Sequence, residues 1–265
     1  MKIDGARILL TGATGGLGAA IARELSRRNG HLVLSGRRRE QLERLARSLE
    51  GPSEVIPADL EQPSEVERLA REAGPVDVLV ANAALPASGP LLDFTGEQID
   101  RALSVNLRAP IMLTRLLLPG MVERGRGHLV FMSSLAGKVA PPASALYSAT
   151  KFGLRGFALG LREDLHGTGV GVTAIFPGFV REAGMFAETG VRLPPGVGTR
   201  SPEDVARAVV SGIERGKAEI DVAPLPMRAG ARIASVAPTL VASIQRRLGS
   251  REIAQRIASA QTHKR

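Results

Sequence analysis

Up to about residue 223 the chain alternates short apolar runs with longer stretches of helical periodicity, and that alternation leaves few folds open. A parallel strand pair needs a crossover of a dozen or more residues, so short strands separated by helices imply a parallel sheet covered on both faces. The runs 7–11, 31–35, 76–81, 127–133 and 169–175 read as strands, with shorter ones at 54–57 and 219–222. The expected fold class is α/β, a doubly wound parallel sheet of about seven strands. Helix starts are marked between them. Ser64 with Glu67 and Thr95 with Gln98 fit the capping box, while Ser201-Pro202-Glu203-Asp204 places a cap, a first-turn proline and acidic groups at a helix N-terminus. The Pro- and Gly-rich stretches 85–90 and 193–198 read as loops.

Beyond residue 226 the pattern changes to Arg, Ala, Ile and Leu, with arginines at Arg228, Arg232, Arg246, Arg247, Arg251 and Arg256. We expect one domain over 1–226 and a basic C-terminal extension over 227–265 made of two or three amphipathic helices. The extension packs on the domain or on another subunit, with peripheral contact to an anionic membrane as the alternative. Net charge is +9, from 35 basic and 26 acidic side chains, which suits any anionic partner and selects none. No tryptophan, seven phenylalanines and one tyrosine argue against nucleic acid, whose single strands need stacking rings. The absence of cysteine excludes a disulfide framework, a thiolate zinc site and a cysteine nucleophile. The four histidines lie far apart without metal-ligand spacing, so no metal is expected. No apolar run approaches the ~18 residues of a membrane span, and a cytoplasmic protein is the expectation.

Directly after the first strand comes Thr11-Gly12-Ala13-Thr14-Gly15-Gly16-Leu17-Gly18, then an apolar-periodic helix. Glycines let a backbone turn sharply and approach a pyrophosphate, and the helix behind offers unpaired amides and the positive end of its dipole. A dinucleotide suits the place. The spacing Gly-x-x-x-Gly-x-Gly resembles that of the short-chain dehydrogenase/reductase family, and the resemblance runs over roughly residues 5–223. It implies a Rossmann-like fold and NAD(P) held by Gly12, Thr14, Gly16, Leu17 and Gly18. At the end of the second strand, where members preferring NAD usually carry Asp, stands Gly36, followed by Arg37 and Arg38. Guanidiniums can grip a 2′-phosphate bidentately, so NADP(H) is expected, with NAD(H) as the alternative. Asp59 and Leu60 look like the family's adenine contact. Asn82 is the matching residue of an imperfect Asn-Asn-Ala-Gly motif, Ala81 and Ala84 replacing its first and last members.

A tyrosine and a lysine four apart, Tyr147 and Lys151, project from one helical face. An ammonium near a phenol favours the phenolate and makes the pair a candidate acid/base. Ser134, thirteen residues before the tyrosine, stands at the C-terminal end of a strand in the same sheet. These match the family's Ser/Tyr/Lys triad, and Asn106 resembles its fourth member. The resemblance implies that Tyr147 exchanges the proton, Ser134 orients the reacting oxygen, Lys151 lowers the tyrosine pKa and binds the nicotinamide ribose, and Asn106 holds a proton-relaying water. Pro177, Gly178 and Val180 resemble the nicotinamide-side turn, whose usual threonine is Glu182 here. The apolar loop 178–200 suggests a lid over a lipophilic substrate.

The leading expectation is an NADP(H)-dependent oxidoreductase interconverting a lipophilic ketone or aldehyde and its alcohol, working as a homodimer or homotetramer. Reduction of a 3-oxoacyl group on an acidic carrier protein is one alternative. A non-catalytic NADP sensor is another, against which stands the complete Asn/Ser/Tyr/Lys set.

Overall fold

The computed structural model describes residues 1–191, 193, 197–239, 241, 243 and 250–262. Strands β1 (Arg7–Thr11), β2 (His31–Gly36), β3 (Ser53–Pro57), β4 (Val78–Ala81), β5 (Gly127–Met132), β6 (Val170–Pro177) and β7 (Glu219–Val222) pair in parallel, in the order β3-β2-β1-β4-β5-β6-β7. The order reverses between β1 and β4, and the crevice beyond the strands' carboxyl ends there is where open α/β sheets bind ligands.

Alternation within the strands explains the two layers around the sheet. On β1, Ile8 and Leu10 join one apolar cluster while Leu9 joins the other. The first cluster is completed by helices α1 (Gly16–Ser26), α2 (Arg39–Arg47) and α7 (Pro202–Arg215), through Ile21, Leu42 and Val209. The second is completed by α3 (Pro63–Ala73), α5 (Ala109–Glu123) and α6 (Ala145–Asp164), through Leu69, Leu113 and Leu154. The short helix α4 (Gly96–Leu103) runs into a π turn, Ser104–Arg108, ahead of α5.

Several boundaries differ from the sequence expectation for local reasons. β4 starts at Val78 because Asp77 turns its carboxylate onto the Arg7 amide, 3.1 Å away, at the mouth of the strand. The capping box expected at Ser64 and Glu67 does not form. Pro63, with φ already suited to a helix, is the first helical residue, and Gln62 takes the cap position without a side-chain bond. The boxes at Thr95/Gln98 and Ser201/Asp204 do form.

The extension is less separate than its composition suggests. Helix α8 (Leu225–Val236) begins before residue 227, and its Ala231 and Met227 pack onto the cluster of α3, α5 and α6. Helix α9 (Ser250–Gln261) follows. Arg246, Arg247 and residues 194–196 of the expected loop lie outside the described residues. Among the described residues, no helix is long and apolar enough to cross a membrane.

Candidate active site

The turn between β1 and α1 is shaped by backbone crowding. Gly12 has φ +64°, and a Cβ there would stand 2.8 Å from the Ala83 Cα; a Cβ on Gly18 would run into the Gly12 carbonyl. Gly15, in the cap position, offers α1 no side-chain cap, so the first amides of the helix face the turn without a side-chain acceptor. Two side chains tie the turn to β4. The buried Thr11 hydroxyl accepts the amides of Asn82 and Ala83, each at 3.1 Å. In return, Asn82 Nδ2 donates to the carbonyls of Thr11 and Gly12 at 3.1 and 3.2 Å.

Beside this turn lies a cavity of about 770 Å³, within the ~300–1,000 Å³ range of small-molecule and cofactor sites. Gly12, Thr14, Gly16, Leu17, Gly18, Arg37, Arg38, Asp59, Leu60 and Asn82 all contribute to its wall. Arg37 and Arg38 are exposed at the rim, and neither makes an ion pair among the described residues, whereas the neighbouring Arg39 pairs with Glu43 at 3.8 Å. Asp59 folds back, accepting the Glu61 amide at 3.1 Å. The residues present fit a dinucleotide: close-approach backbone and uncapped amides for a pyrophosphate, with exposed guanidiniums at the rim.

The side-chain cluster lies beyond the cavity wall, at the ends of β5 and β6. Half-buried Tyr147 and buried Lys151 stand one turn apart on α6, with the Lys151 Nζ 5.6 Å from the centre of the phenol ring. The Ser134 hydroxyl lies close enough to the Tyr147 phenol to favour its charged form, accepts the Ala136 amide at 3.1 Å and donates to the Pro177 carbonyl at 3.4 Å. Ser133 has a different task, donating to the Lys151 carbonyl at 3.0 Å and so fixing α6 on the end of β5. Geometry thus separates two adjacent serines that composition cannot.

Two expectations change here. Lys151 does not depress the phenol in this structure. Burial dominates, pushing Tyr147 up to about 12 against the opposing pull of the neighbouring Ser134 hydroxyl. Burial likewise pushes Lys151 down to about 8, and its ammonium donates to the Met132 carbonyl at 2.8 Å. The second change concerns Asn106, which is fully buried in the π turn. Its Oδ1 accepts the Leu85 amide at 2.6 Å and its Nδ2 donates to the Leu85 carbonyl at 2.9 Å, so the side chain is committed and not free to hold a water. Pro110 has no amide hydrogen for the carbonyl four residues back, which leaves acceptor capacity on the Asn106 backbone instead.

Pro177, Gly178 and Val180 are outside the cavity wall. Pro177 serves through its carbonyl, the Gly178 amide closes onto the Val222 carbonyl at 3.0 Å, and buried Val180 bridges to Arg200 at the neck of the loop 178–200. Glu182 has φ +67° and pairs with Arg181 at 2.8 Å, both side chains being exposed.

Sequence reasoning quoted Thr11 at the head of the glycine turn but gave its hydroxyl no task; its bonds to the Asn82 and Ala83 amides appear only in the fold. Sequence reasoning missed Lys138, buried between Glu219 at 2.9 Å and Asp221 at 2.6 Å beside the Phe176 ring, a group that joins the turn after Ser134 to β7. Nor did it place Met185 and Gln261 on the cavity wall, since nothing in the pattern of α9 shows which surface it covers.

Comparison with known proteins agrees with this arrangement. The family model described as short chain dehydrogenase matches residues 6–192. A ketoacyl reductase, HetN, of Nostoc sp. is 35% identical over 259 residues, covering 93% of this chain and 90% of the relative. Among solved structures, the closed form of a serine dehydrogenase complexed with NADP+ superposes with a TM-score of 0.73 at 31% identity, covering 83% of this chain and 95% of its own. A short-chain dehydrogenase from Sphingobium yanoikuyae in complex with NADPH gives 0.75 at 27% identity, over 88% and 92% of the two chains. With a parallel seven-stranded sheet, a glycine turn at its switch point and a family match over most of its length, the chain belongs to the short-chain dehydrogenase/reductase family of oxidoreductases.

Proposed function

We propose that the protein uses NADP(H) to interconvert a lipophilic ketone or aldehyde and its alcohol. The observation that carries this reading is the grouping of Ser134, Tyr147 and Lys151 at the end of β5, with Lys151 Nζ 5.6 Å from the phenol ring and anchored on the Met132 carbonyl, beside the cleft at the glycine turn.

Gly12, Gly16 and Gly18 would hold the pyrophosphate, Asn82, Asp59 and Leu60 the adenosine side, and Arg37 and Arg38 a 2′-phosphate. When bound, the cofactor supplies the hydride. Tyr147 gives its proton to the carbonyl oxygen, and Ser134 donates a hydrogen bond to the same oxygen and orients it. Lys151, anchored on the Met132 carbonyl, fastens α6 to the end of β5. Asn106 keeps the Leu85 backbone in position between the cavity and the cluster. Support for an apolar substrate comes from the loop 178–200, where Phe179 and Phe186 pack with ring centres 4.7 Å apart.

A second reading, reduction of a 3-oxoacyl thioester on an acidic carrier, is favoured by the named activity of the Nostoc relative and by the net charge of +9. Following NADPH oxidation against lipophilic ketones, aldehydes and 3-oxoacyl thioesters, with Tyr147→Phe alongside, tests both. Turnover confined to free ketones or aldehydes and lost in the variant supports the first. Turnover confined to thioesters supports the second, and silence across the panel with intact NADPH binding removes both.

A further inference from the structure

The last described helix does more than pack against the domain. Gln261, at the end of α9, is 6% exposed and forms part of the wall of the cavity that holds the glycine turn. Its Nε2 donates to the Met185 carbonyl at 3.1 Å, which fixes the orientation of the amide. Its Oε1 is then a buried acceptor with no partner among the described residues. Buried side-chain acceptors are nearly always satisfied, and the few that are not call for an explanation.

The neighbourhood supplies one. Met185 belongs to the segment 183–188, which lies against the glycine turn: a Cβ on Gly16 would meet the Ala183 Cβ at 2.5 Å and the Gly184 amide nitrogen at 2.8 Å. Met185 and Glu188 share the cavity wall with Leu17, Ala260 and Gln261. A contact from α9 to Met185 therefore fastens the C-terminal helix to the loop bordering the glycine turn, and leaves one uncommitted, buried acceptor on a side chain that lines the cleft. An amide oxygen cannot accept from a phosphate anion, so its complement is a donor-bearing part of the ligand.

We infer that Gln261 is a cofactor-binding residue supplied by the C-terminal extension, its Oε1 accepting a hydrogen bond from a ribose hydroxyl of the bound dinucleotide while its Nε2 keeps its bond to the Met185 carbonyl. The inference rests on the dinucleotide reading of the cleft and extends it to a helix outside the 6–192 family match.

The test uses the full chain and Gln261→Met, which keeps the side-chain length and removes both hydrogen bonds. NADPH and adenosine 2′,5′-bisphosphate are titrated by fluorescence or calorimetry, and the ligand-free melting temperature is measured beside them. The expected result is a Kd for NADPH raised about three- to tenfold, the range of one lost hydrogen bond, with faster dissociation and the ligand-free melting temperature of wild type. An equal loss for the bisphosphate assigns the adenosine ribose as donor, and a loss confined to NADPH assigns the nicotinamide ribose.

Wild-type affinity in the variant overturns the inference while leaving the proposed function standing. Tighter binding overturns it by making α9 a plug, and unchanged NADPH affinity with a raised KM for the carbonyl overturns it by moving Gln261 to the substrate. If the wild-type protein binds no NADPH, the dinucleotide reading and this inference fall together.

Discussion

The two ends of the cleft are built from different materials. At the glycine turn the shape is set by backbone: Gly12 and Gly18 are there because a Cβ would strike the Ala83 Cα or the Gly12 carbonyl, and the side chains at the rim, Arg37 and Arg38, stand in solvent. At the cluster the shape is set by side chains locked onto backbone oxygens, with Lys151 on Met132, Ser133 on Lys151 and Ser134 on Pro177. The first end can change its ligand preference through a rim residue without disturbing the fold. At the second, chemistry and packing share the same atoms, and few substitutions separate them.

Tyr147→Phe is the sharpest attempt to separate them. It removes one oxygen and keeps the ring, so turnover should fall at least about 10³-fold, the upper range for a lost general acid, while NADPH affinity changes little. A comparable loss of NADPH affinity in a binding titration would show that the two ends are one unit. Next comes Lys138→Met, which leaves the Asp221 carboxylate, 6% exposed, without its cation. Breaking a buried pair on one side costs about 3–5 kcal/mol, so denaturant unfolding should show a clear drop in stability. Because Lys138 ends the turn that begins at Ser134, kcat should fall further than NADPH affinity does. Equal loss of both would mean that the ion pair supports the sheet edge alone.

The open end should respond more mildly. A Cβ at Gly36 would meet only Thr14 Oγ1 at 3.6 Å and Leu42 Cδ2 at 3.7 Å, ordinary contacts, so the backbone there accepts a side chain at its first carbon without a clash. Gly36→Asp should shift the ratio of kcat/KM for NADPH over NADH toward NADH by about 10- to 100-fold, through repulsion of the 2′-phosphate and a new acceptor for the ribose hydroxyls. A ratio that does not move would show that the rim charges, and with them Arg37 and Arg38, do not read the phosphate.

Legibility in the sequence followed the same division. Strand and helix alternation, the glycine spacing and the Tyr147/Lys151 interval are local patterns, and the structure contains the elements they predict. What stayed hidden depends on contacts distant along the chain. Thr11 meets Asn82 across 71 residues, Lys138 meets Asp221 across 83, and Gln261 meets Met185 across 76, none at a spacing that one element could reveal. Asn106 was found as a position, but its side chain's commitment to Leu85 comes from the π turn that aims it there, and no residue type announces a π turn. The electrostatic sign at Tyr147 was hidden for another reason: the neighbouring ammonium can be read from spacing, whereas burial, the larger effect, exists only once the chain is folded.

The smallest effect expected is a control on the whole comparison. His128 lies near the start of β5, at the opposite end of that strand from Ser134, and its Nε2 is 2.9 Å from the Thr173 hydroxyl oxygen. Since that hydroxyl donates to the Lys217 carbonyl at 2.6 Å, the histidine is the donor and its Nε2 carries the proton. Burial first, then the N-terminal ammonium and Arg162, push it down to about 3. The ring is therefore neutral when folded, and between about pH 6.5 and 3 the unfolded chain binds a proton that the folded one does not. The stability it permits is complete above pH 6.5 and is lost as the pH falls, by about 2 kcal/mol or less between pH 7 and 5. Denaturant unfolding across that interval should show the decline, and His128→Gln, which can still donate to Thr173, should flatten it. Acid loss of activity that follows this decline and flattens with it reports unfolding from the far end of β5. Acid loss that persists in His128→Gln reports titration at the cleft itself, and would place a second ionisation among the groups that hold the ligand.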